Sequence, residues 1–440
     1  MNIYKHGLML TLLACIQTVQ AEDLFTVYQQ ALQADPQLQS ANVKIDIGAA
    51  QKGQALGQML PQINASGNWS ANKQTIEARG ADGVSNFHGT RYQVSLNQSL
   101  IDFAKFWEWR RAAKVEDQYA AEAIEAHNQL MFNVVERYFN ELEAEDQLNF
   151  AKTEKLATQK QLEQVQKQYA KQMLKITDLY AVEARLDQII AAEILAESKR
   201  VTAQQSLREL TGVDPAELSK LRDVVNYQEI EGDLQQWIEM AQSQNPAISA
   251  KQIAIQAAEN NVTVQQSKYL PVVDFQMNYF DTNTGFQSTN LGTNIQTEVA
   301  AINVNIPIFS GGTTTHQMFE AKSRLQLSRN DNEAAIRAIT KETSDAFLSA
   351  NANARHIKAA QKALDSAGKS REAMERGFSY GVVTISDLIK AQQDEFSAKK
   401  DFSQAKYNYI KNRIRFMHAI GSIAEENLQE INGWLEEKKL

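Results

Sequence analysis

Cysteine is all but missing from this chain: Cys15 is the only one in 440 residues. It lies in an apolar N-terminal stretch, so the remaining polypeptide is expected to carry neither disulfides nor thiol chemistry. Proline is scarce, with 6 in the chain, and between Ile101 and Thr211 there is neither proline nor glycine. A helix-compatible run of roughly 110 residues is far beyond an ordinary globular helix and must fold back on itself. Long hydrophobic runs are also absent. After residue 21 nothing offers the ~20 consecutive apolar residues of a spanning helix, which leaves a β-barrel as the only way to cross a membrane. Nor is there a surplus of positive charge: 45 Lys+Arg against 53 Asp+Glu give a net charge of -8, which argues against nucleic acid as a partner. Six histidines, His6, His88, His127, His316, His356 and His418, are scattered without ligand spacing, and no nucleophile motif or dinucleotide fingerprint occurs. Gly311-Gly312 opens a helix after a strand but lacks the rest of a phosphate-binding loop. No enzyme, cofactor or metal site is expected.

What is present begins with a leader. Lys5 and His6 precede an apolar core from Leu8 to Ile16, and Val19-Gln20-Ala21 has the apolar-x-small form that signal peptidase accepts. Residues 1–21 are therefore expected to be a signal peptide. Leu12-Leu13-Ala14-Cys15 loosely resembles a lipobox, which leaves lipidation at Cys15 as the other reading.

The chain then says the same thing twice. Pro36 and Pro61, separated by a helical stretch, recur as Pro246 and Pro271, about 210 residues on. QVSLNQSLI ending at Ile101 answers AINVNIPIF ending at Phe309, and KITDL ending at Leu179 answers TISDL ending at Leu388. One unit was duplicated. The division expected is a first repeat over 22–212 with strands at 61–72 and 91–101, a connector over 213–240, a second repeat over 241–421 with strands at 271–281 and 298–309, and a terminal segment over 422–440. The connector and terminal segment are left over from both repeats and are expected to form an equatorial belt.

The strands alternate. Ile63, Ala65, Gly67 and Trp69 fall on one side and Asn64, Ser66, Asn68 and Ser70 on the other; Tyr92, Val94, Leu96 and Leu100 repeat the pattern, as do Val273, Phe275, Met277 and Tyr279, and Ile302, Val304, Ile306 and Ile308. Four such strands, each about ten residues long, carry the outer-membrane barrel signature. A half-buried soluble sheet accounts equally well for any single one. Asn72 to Thr90, with Gly80, Gly83 and Gly89, and Asp281 to Thr297, with Gly285 and Gly292, look like exposed hairpin loops. Aromatic residues cluster where strand meets helix: Phe103, Phe106, Trp107, Trp109, Phe309 and Phe319. With Trp69 they are candidates for an interfacial girdle.

The helices obey an arithmetic. The first run breaks best near Lys171 to Thr177, leaving a long helix from about Asp102 to Ala170, on the order of 100 Å, and a short one from Asp178 to Thr211, on the order of 50 Å. A helix over Asp23 to Met59 supplies about another 55 Å. The second copy gives the same sum, with a long helix from about Gly312 to Ser379 and short ones over Ala241 to Tyr269 and Asp387 to Ile420. The implied object is a rod about 100 Å long, with hairpins turning near 171–177 and 380–386, away from the strands. Four strands per chain cannot close a barrel, so several chains must share one.

This combination resembles the TolC family of outer-membrane efflux and secretion channels, from about Glu22 to about Leu428. The resemblance rests on DLFTVYQQALQADPQL at Asp23 to Leu38, LPQI at Leu60 to Ile63, PIFSGG at Pro307 to Gly312, and GFSYGVVTISDL at Gly377 to Leu388. It implies a mainly α fold with a β-barrel part: a homotrimer whose strands form one twelve-stranded barrel in the outer membrane of a Gram-negative bacterium, above an α-helical periplasmic tunnel. It also implies docking to a periplasmic adaptor and an inner-membrane pump, so that the chain is an exit duct for efflux or type I secretion. A non-conducting periplasmic coiled-coil scaffold remains the alternative; it explains the helices and leaves the strands without a purpose.

The resemblance further points to a gate at the hairpin tips. Asp387 is the candidate for a ring of carboxylates on the threefold axis, with Asp178, after Thr177, in the matching place of the first copy. Mutual repulsion in such a ring raises its pKa and attracts multivalent cations. Thr384-Ile385-Ser386-Asp387 also reads as a capping box, in which Asp387 accepts from a helix N-terminal amide. The pattern departs from the family at three points. The tyrosine and arginine that relatives bond to the outer aspartate are Phe378 and Val383 here, so closure is expected to rest on apolar contacts among Phe378, Val382 and Val383. A further acidic position is Lys390, three residues from Asp387 on the same helix face, placed to neutralise the ring in part. The glycine of the first turn is Gln172, beside Met173, whereas the second turn keeps Gly381, beside Val382; these tips are the expected adaptor contacts.

Overall fold

A computed structural model describes residues 22–77, 80, 83–222, 225–283 and 293–436. The expected signal peptide, Cys15, Gly285 and Gly292 lie outside these residues.

Twelve elements run in chain order as the same six twice: α1 (Leu24–Ala34), α2 (Pro36–Gly57), β1 (Gln62–Ile76), β2 (Gly83–Ile101), α3 (Phe103–Ala170) and α4 (Ile176–Thr211), then α5 (Leu234–Gln244), α6 (Pro246–Ser267), β3 (Val272–Asn283), β4 (Asn294–Asn305), α7 (Thr313–Ser379) and α8 (Ile385–Ala419). A short α9 (Glu425–Asn432) follows. The contacts fall into two compact units, and each takes chain from both copies: 1–36, 127–239 and 341–440 make one, 37–126 and 240–340 the other. The long helices α3 and α7, of 68 and 67 residues, each contribute to both.

The expected continuous helix over Asp23 to Met59 is two helices. Asp35 has ψ 116, outside the helical region, because the ring of Pro36 crowds the residue before it. The second copy breaks alike at Asn245, ψ 122, whose side chain accepts from the Ala247 amide. Its first helix starts at Leu234, inside the segment expected as connector. Turns occupy 171–175 and 380–384.

In the strand-bearing unit the sheet order is β1-β2-β3-β4, all antiparallel. The strands are longer than expected at their polar ends. Val84 to Thr90 pairs with Trp69 to Thr75, so most of the segment read as a loop is ladder, and Gly89 lies within it opposite Ser70. Its polar side chains hid the alternation, while backbone pairing does not depend on them. At the other end β4 stops at Asn305, short of the expected Phe309, because Pro307 has no amide to donate. A bulge between Ser99 and Ile101 brings Ile101 opposite Val273. Asp102 then caps α3, accepting from the Ala104 and Lys105 amides at 2.9 and 3.1 Å.

In the other unit the two leftover segments pair. Leu221 bridges Leu435, and Glu22 exchanges backbone hydrogen bonds with Glu217 and Ser219. Buried Tyr138 of α3 donates to the carbonyls of Glu22 and Ser219 at 3.1 and 2.9 Å. Tyr28 of α1 donates to Glu425 of α9 at 2.9 Å and lies 2.9 Å from His127 Nε2.

Candidate gate at the helix-hairpin tips

Two surfaces carry the functional reading. The first is one face of the sheet. Register places Ile63, Leu96, Met277 and Ala300 in one cross-strand row, Ala65, Val94 and Tyr279 in the next, which ends in Glu298 on β4, and Phe275 opposite Ile302. Cross-strand partners share a face, so the apolar positions of four strands form one patch. It is bare: Ile63 is 68% exposed, Ile302 67% and Val304 60%. The opposite face carries Asn64, Ser66, Gln93, Ser95, Asn278, Gln276 and Asn303. An apolar sheet face of this extent does not stay in water. Trp69 stacks on His88 with ring centroids 5.2 Å apart. Trp107 and Trp109 both meet Phe106, near Phe103, while Phe309 beyond β4 is almost fully exposed.

The second surface is the pair of turns. Each long helix ends in the same motif. Met173 N–H reaches back to the Gln168 carbonyl and Gln172 N–H to that of Tyr169; Val382 N–H reaches Gly377 and Gly381 N–H reaches Phe378. Such an ending needs a left-handed residue. Gly381 supplies it with φ 75 and Gln172 with φ 59, the sole non-glycine positive φ among the described residues. Met173 and Val382 stand out at the tips, 68% and 77% exposed.

The start of α4 and the start of α8 use their aspartates differently. Asp178 accepts the Lys175 amide at 3.1 Å, closing the first turn. Asp387 does not accept from an amide as expected: Thr384 takes the Asp387 amide at 3.2 Å, and the Thr384 hydroxyl donates to the Asp387 carboxylate at 2.6 Å. A threonine one residue outside the helix presents its oxygen to the third amide, which leaves the aspartate side chain exposed. Lys390 is exposed on the same turn, and no ion pair joins it to Asp387 among the described residues of the chain.

Behind the turns the two hairpins share an apolar cluster. Val165, Val182, Ile385 and Leu388 are buried, with Leu162, Leu174, Leu179, Met374, Phe378 and Ile389 packed on them. Phe378 thus belongs to the contact that joins the hairpins. Val383 packs within its own hairpin, against Gly377, where a Cβ would meet Val383 Cγ2 at 2.5 Å. Val382 points out and takes no part.

Comparison with known proteins decides what these surfaces belong to. The family model "Outer membrane efflux protein" matches residues 27–213 and 237–422. The chain belongs to the TolC family of outer-membrane efflux proteins. Outer membrane protein TolC of Vibrio cholerae is 30% identical over 428 residues, 96% of this chain and 95% of that one. Alkaline protease secretion protein AprF of Pseudomonas aeruginosa is 25% identical, covering 93% and 87%. The CmeC outer membrane channel of Campylobacter jejuni has the same fold, with a TM-score of 0.81 at 18% identity over 95% of this chain and 91% of that one.

This TolC-family chain is therefore an outer-membrane protein with a large periplasmic part, and it works as an efflux or secretion channel. No described helix is long and apolar enough to cross a membrane. The tip cluster went unseen in the sequence except for Phe378, although its signal was there. Leu162 and Val165, Leu179 and Val182, Met374 and Phe378, and Ile385, Leu388 and Ile389 recur at three or four residues on each helix.

Proposed function

We propose that three copies of this chain close one twelve-stranded barrel over a helical tunnel, and that the hairpin tips gate it. The observation that carries the reading is the four-stranded sheet with an apolar face and two open edges. β1 and β4 lie at its ends, so β4 of one copy can pair with β1 of the next and leave no edge unpaired. Strands of 12 to 19 residues exceed the 9–11 needed to span an outer membrane. Twelve strands enclose a water-filled lumen, lined here by the amide and hydroxyl side chains of the polar face, which give a wet pore without a selective site. Trp69 stands seven residues along β1 from Gln62, ~23 Å from the start of that strand.

At the periplasmic end the Asp387 carboxylates of three chains converge on the axis, with Lys390 one turn behind tempering their charge. Gln172, Met173, Gly381 and Val382 meet a periplasmic adaptor, which joins the duct to an inner-membrane pump. Efflux and type I secretion share this exit duct, and the pump decides the cargo; relatives named for efflux and for protease secretion both fit. Purified mature protein should run as a heat-modifiable oligomer and give discrete conductance in a planar bilayer. A water-soluble monomer without conductance would return the chain to the scaffold reading.

A further inference from the structure

The two hairpins meet along α3 and α8, and their polar contacts fall into two groups. Away from the tips there is a zipper: Arg415 pairs with Glu136, Lys411 with Glu143 at 2.8 Å and Asn140 at 2.9 Å, and Tyr407 and Ser403 both donate to Asp146 at 2.8 and 2.9 Å. The Glu143–Lys411 side chains are only 14% and 16% exposed. Next towards the tips the packing lapses into an open groove of about 360 Å³, lined by Phe150, Ala151, Leu195, Phe396 and Lys400 among others. At its end nearest the turns, among residues that themselves line it, one polar contact joins the hairpins among the described residues. Arg185 of α4 is paired with Glu154 of α3 and its guanidinium faces the carboxamide of Gln393 of α8; a guanidinium only donates, so the amide is assigned with its oxygen turned inward, where it accepts from Nη1 at 3.0 Å and Nε at 3.2 Å.

We infer that Arg185 is a positioning residue for the gate, a clasp from the first hairpin that holds α8 of the second in the closed position through Gln393. The inference rests on the duct reading above and adds the residue pair that sets how readily the tips part.

The chemistry of the partners explains why such a clasp can open and close. A guanidinium donates and never accepts, so the Gln393 oxygen must face it. On its own hairpin Arg185 has a carboxylate, and both side chains are well covered, 21% and 17% exposed. When α8 moves away, Arg185 stays with Glu154 and no buried charge is left unpaired, which would be the expensive step. The moving side loses only an amide contact, and a partly exposed amide is readily rehydrated. Had the partner on α8 been a carboxylate, release would separate charges. The zipper, which does join opposite charges across the hairpins, lies on the far side of the groove and can stay closed while α8 swings. Tip opening then requires the loss of this one polar contact and of the apolar cluster at Val165, Val182, Ile385 and Leu388.

The test is single-channel recording of the full mature oligomer in planar bilayers for wild type, Gln393→Ala, Gln393→Glu, Arg185→Ala and Phe378→Asp, each checked for unchanged oligomer melting. Gln393→Ala should raise open probability by about tenfold, the size of one charge-assisted hydrogen bond. Gln393→Glu should lower it below wild type, because the contact becomes an ion pair. Opposite signs at one position are what a clasp gives and a merely structural role does not. Arg185→Ala, which also leaves Glu154 unpaired, should raise open probability at least as much as Gln393→Ala, and adding Gln393→Ala to it should change nothing further. If Phe378→Asp opens the channel while both Gln393 variants behave as wild type, the clasp is overturned and the duct stands. If no variant conducts from a confirmed oligomer, the duct reading falls and the clasp with it.

Discussion

Gln172 and Gly381 hold the same left-handed backbone conformation, φ 59 and φ 75, at the ends of the two long helices. For a residue with a Cβ this corner costs of order 1 kcal/mol, and for glycine almost nothing. The first hairpin therefore carries strain at its tip that the second does not.

Gln172→Gly is expected to stabilise that turn by roughly 0.5–1 kcal/mol, the relief of strain exceeding the added freedom of the unfolded chain. Gly381→Gln should destabilise its turn by about 1 kcal/mol. Hydrogen-exchange protection of the Gln172 and Met173 amides, compared with Gly381 and Val382, reads both.

Phe378 packs on the cluster shared by the hairpins, whereas Val382 is 77% exposed. Phe378→Ala should loosen the tips by about 1–2 kcal/mol, since the side chain is only partly buried, and raise conductance in a bilayer. Val382→Ala should leave stability within about 0.5 kcal/mol of wild type. Equal effects from the two would remove the cluster from the gate.

Asp387 is exposed and bonded to the Thr384 hydroxyl, with Lys390 on the next turn. A trivalent cation added from the periplasmic side should block wild type only weakly. Lys390→Ala should tighten the block by about tenfold, and Asp387→Ala should abolish it. Nanomolar block of wild type would show that Lys390 does not temper the ring.

Glu141 of α3 is buried, with Oε2 lacking a hydrogen-bond partner among the described residues. Burial first, and then Glu145 and Glu22, push its carboxyl up to about 7 against the pull of Arg200. The folded state thus binds this proton more tightly than the unfolded one, so the group's contribution falls as pH rises from about 4.5 to about 7. Glu141→Gln should stabilise the protein by roughly 1–2 kcal/mol at pH 8, allowing for solvent that still reaches the group. The gain should vanish as pH falls below about 4.5, where the carboxyl becomes protonated in both states. Melting of both proteins across that range tests the sign; a gain that grows on acidification would contradict it.

How far the candidate site was legible differs residue by residue. The turns were readable because Gly381 and the lapse near Lys171 break a local periodicity. Thr384 was readable as part of a cap, but which oxygen serves which donor was not: the sequence pattern is the same whether Asp387 accepts from an amide, as Asp178 does, or from the threonine hydroxyl. Arg185, Glu154 and Gln393 had no signal at all. Each is an ordinary polar residue on a long helix, and their meeting depends on how three helices lie side by side.

The amino-acid sequence by itself determined the duplicated order of elements, the long helices and the apolar and polar faces of the strands, because propensity, periodicity and alternation are properties of near neighbours. The break at Asp35 was also determined locally, by Pro36, although the helix expected over Asp23 to Met59 ran across it. The sequence did not determine where the strands end in polar stretches, which follows from ladder pairing. Only the tertiary structure decided which hairpin contacts are ionic, which are apolar and where the groove between them opens. Such contacts join residues more than two hundred positions apart, such as Asp146 with Tyr407, and register between packed helices is set by side-chain fit along their whole length rather than by any local signal.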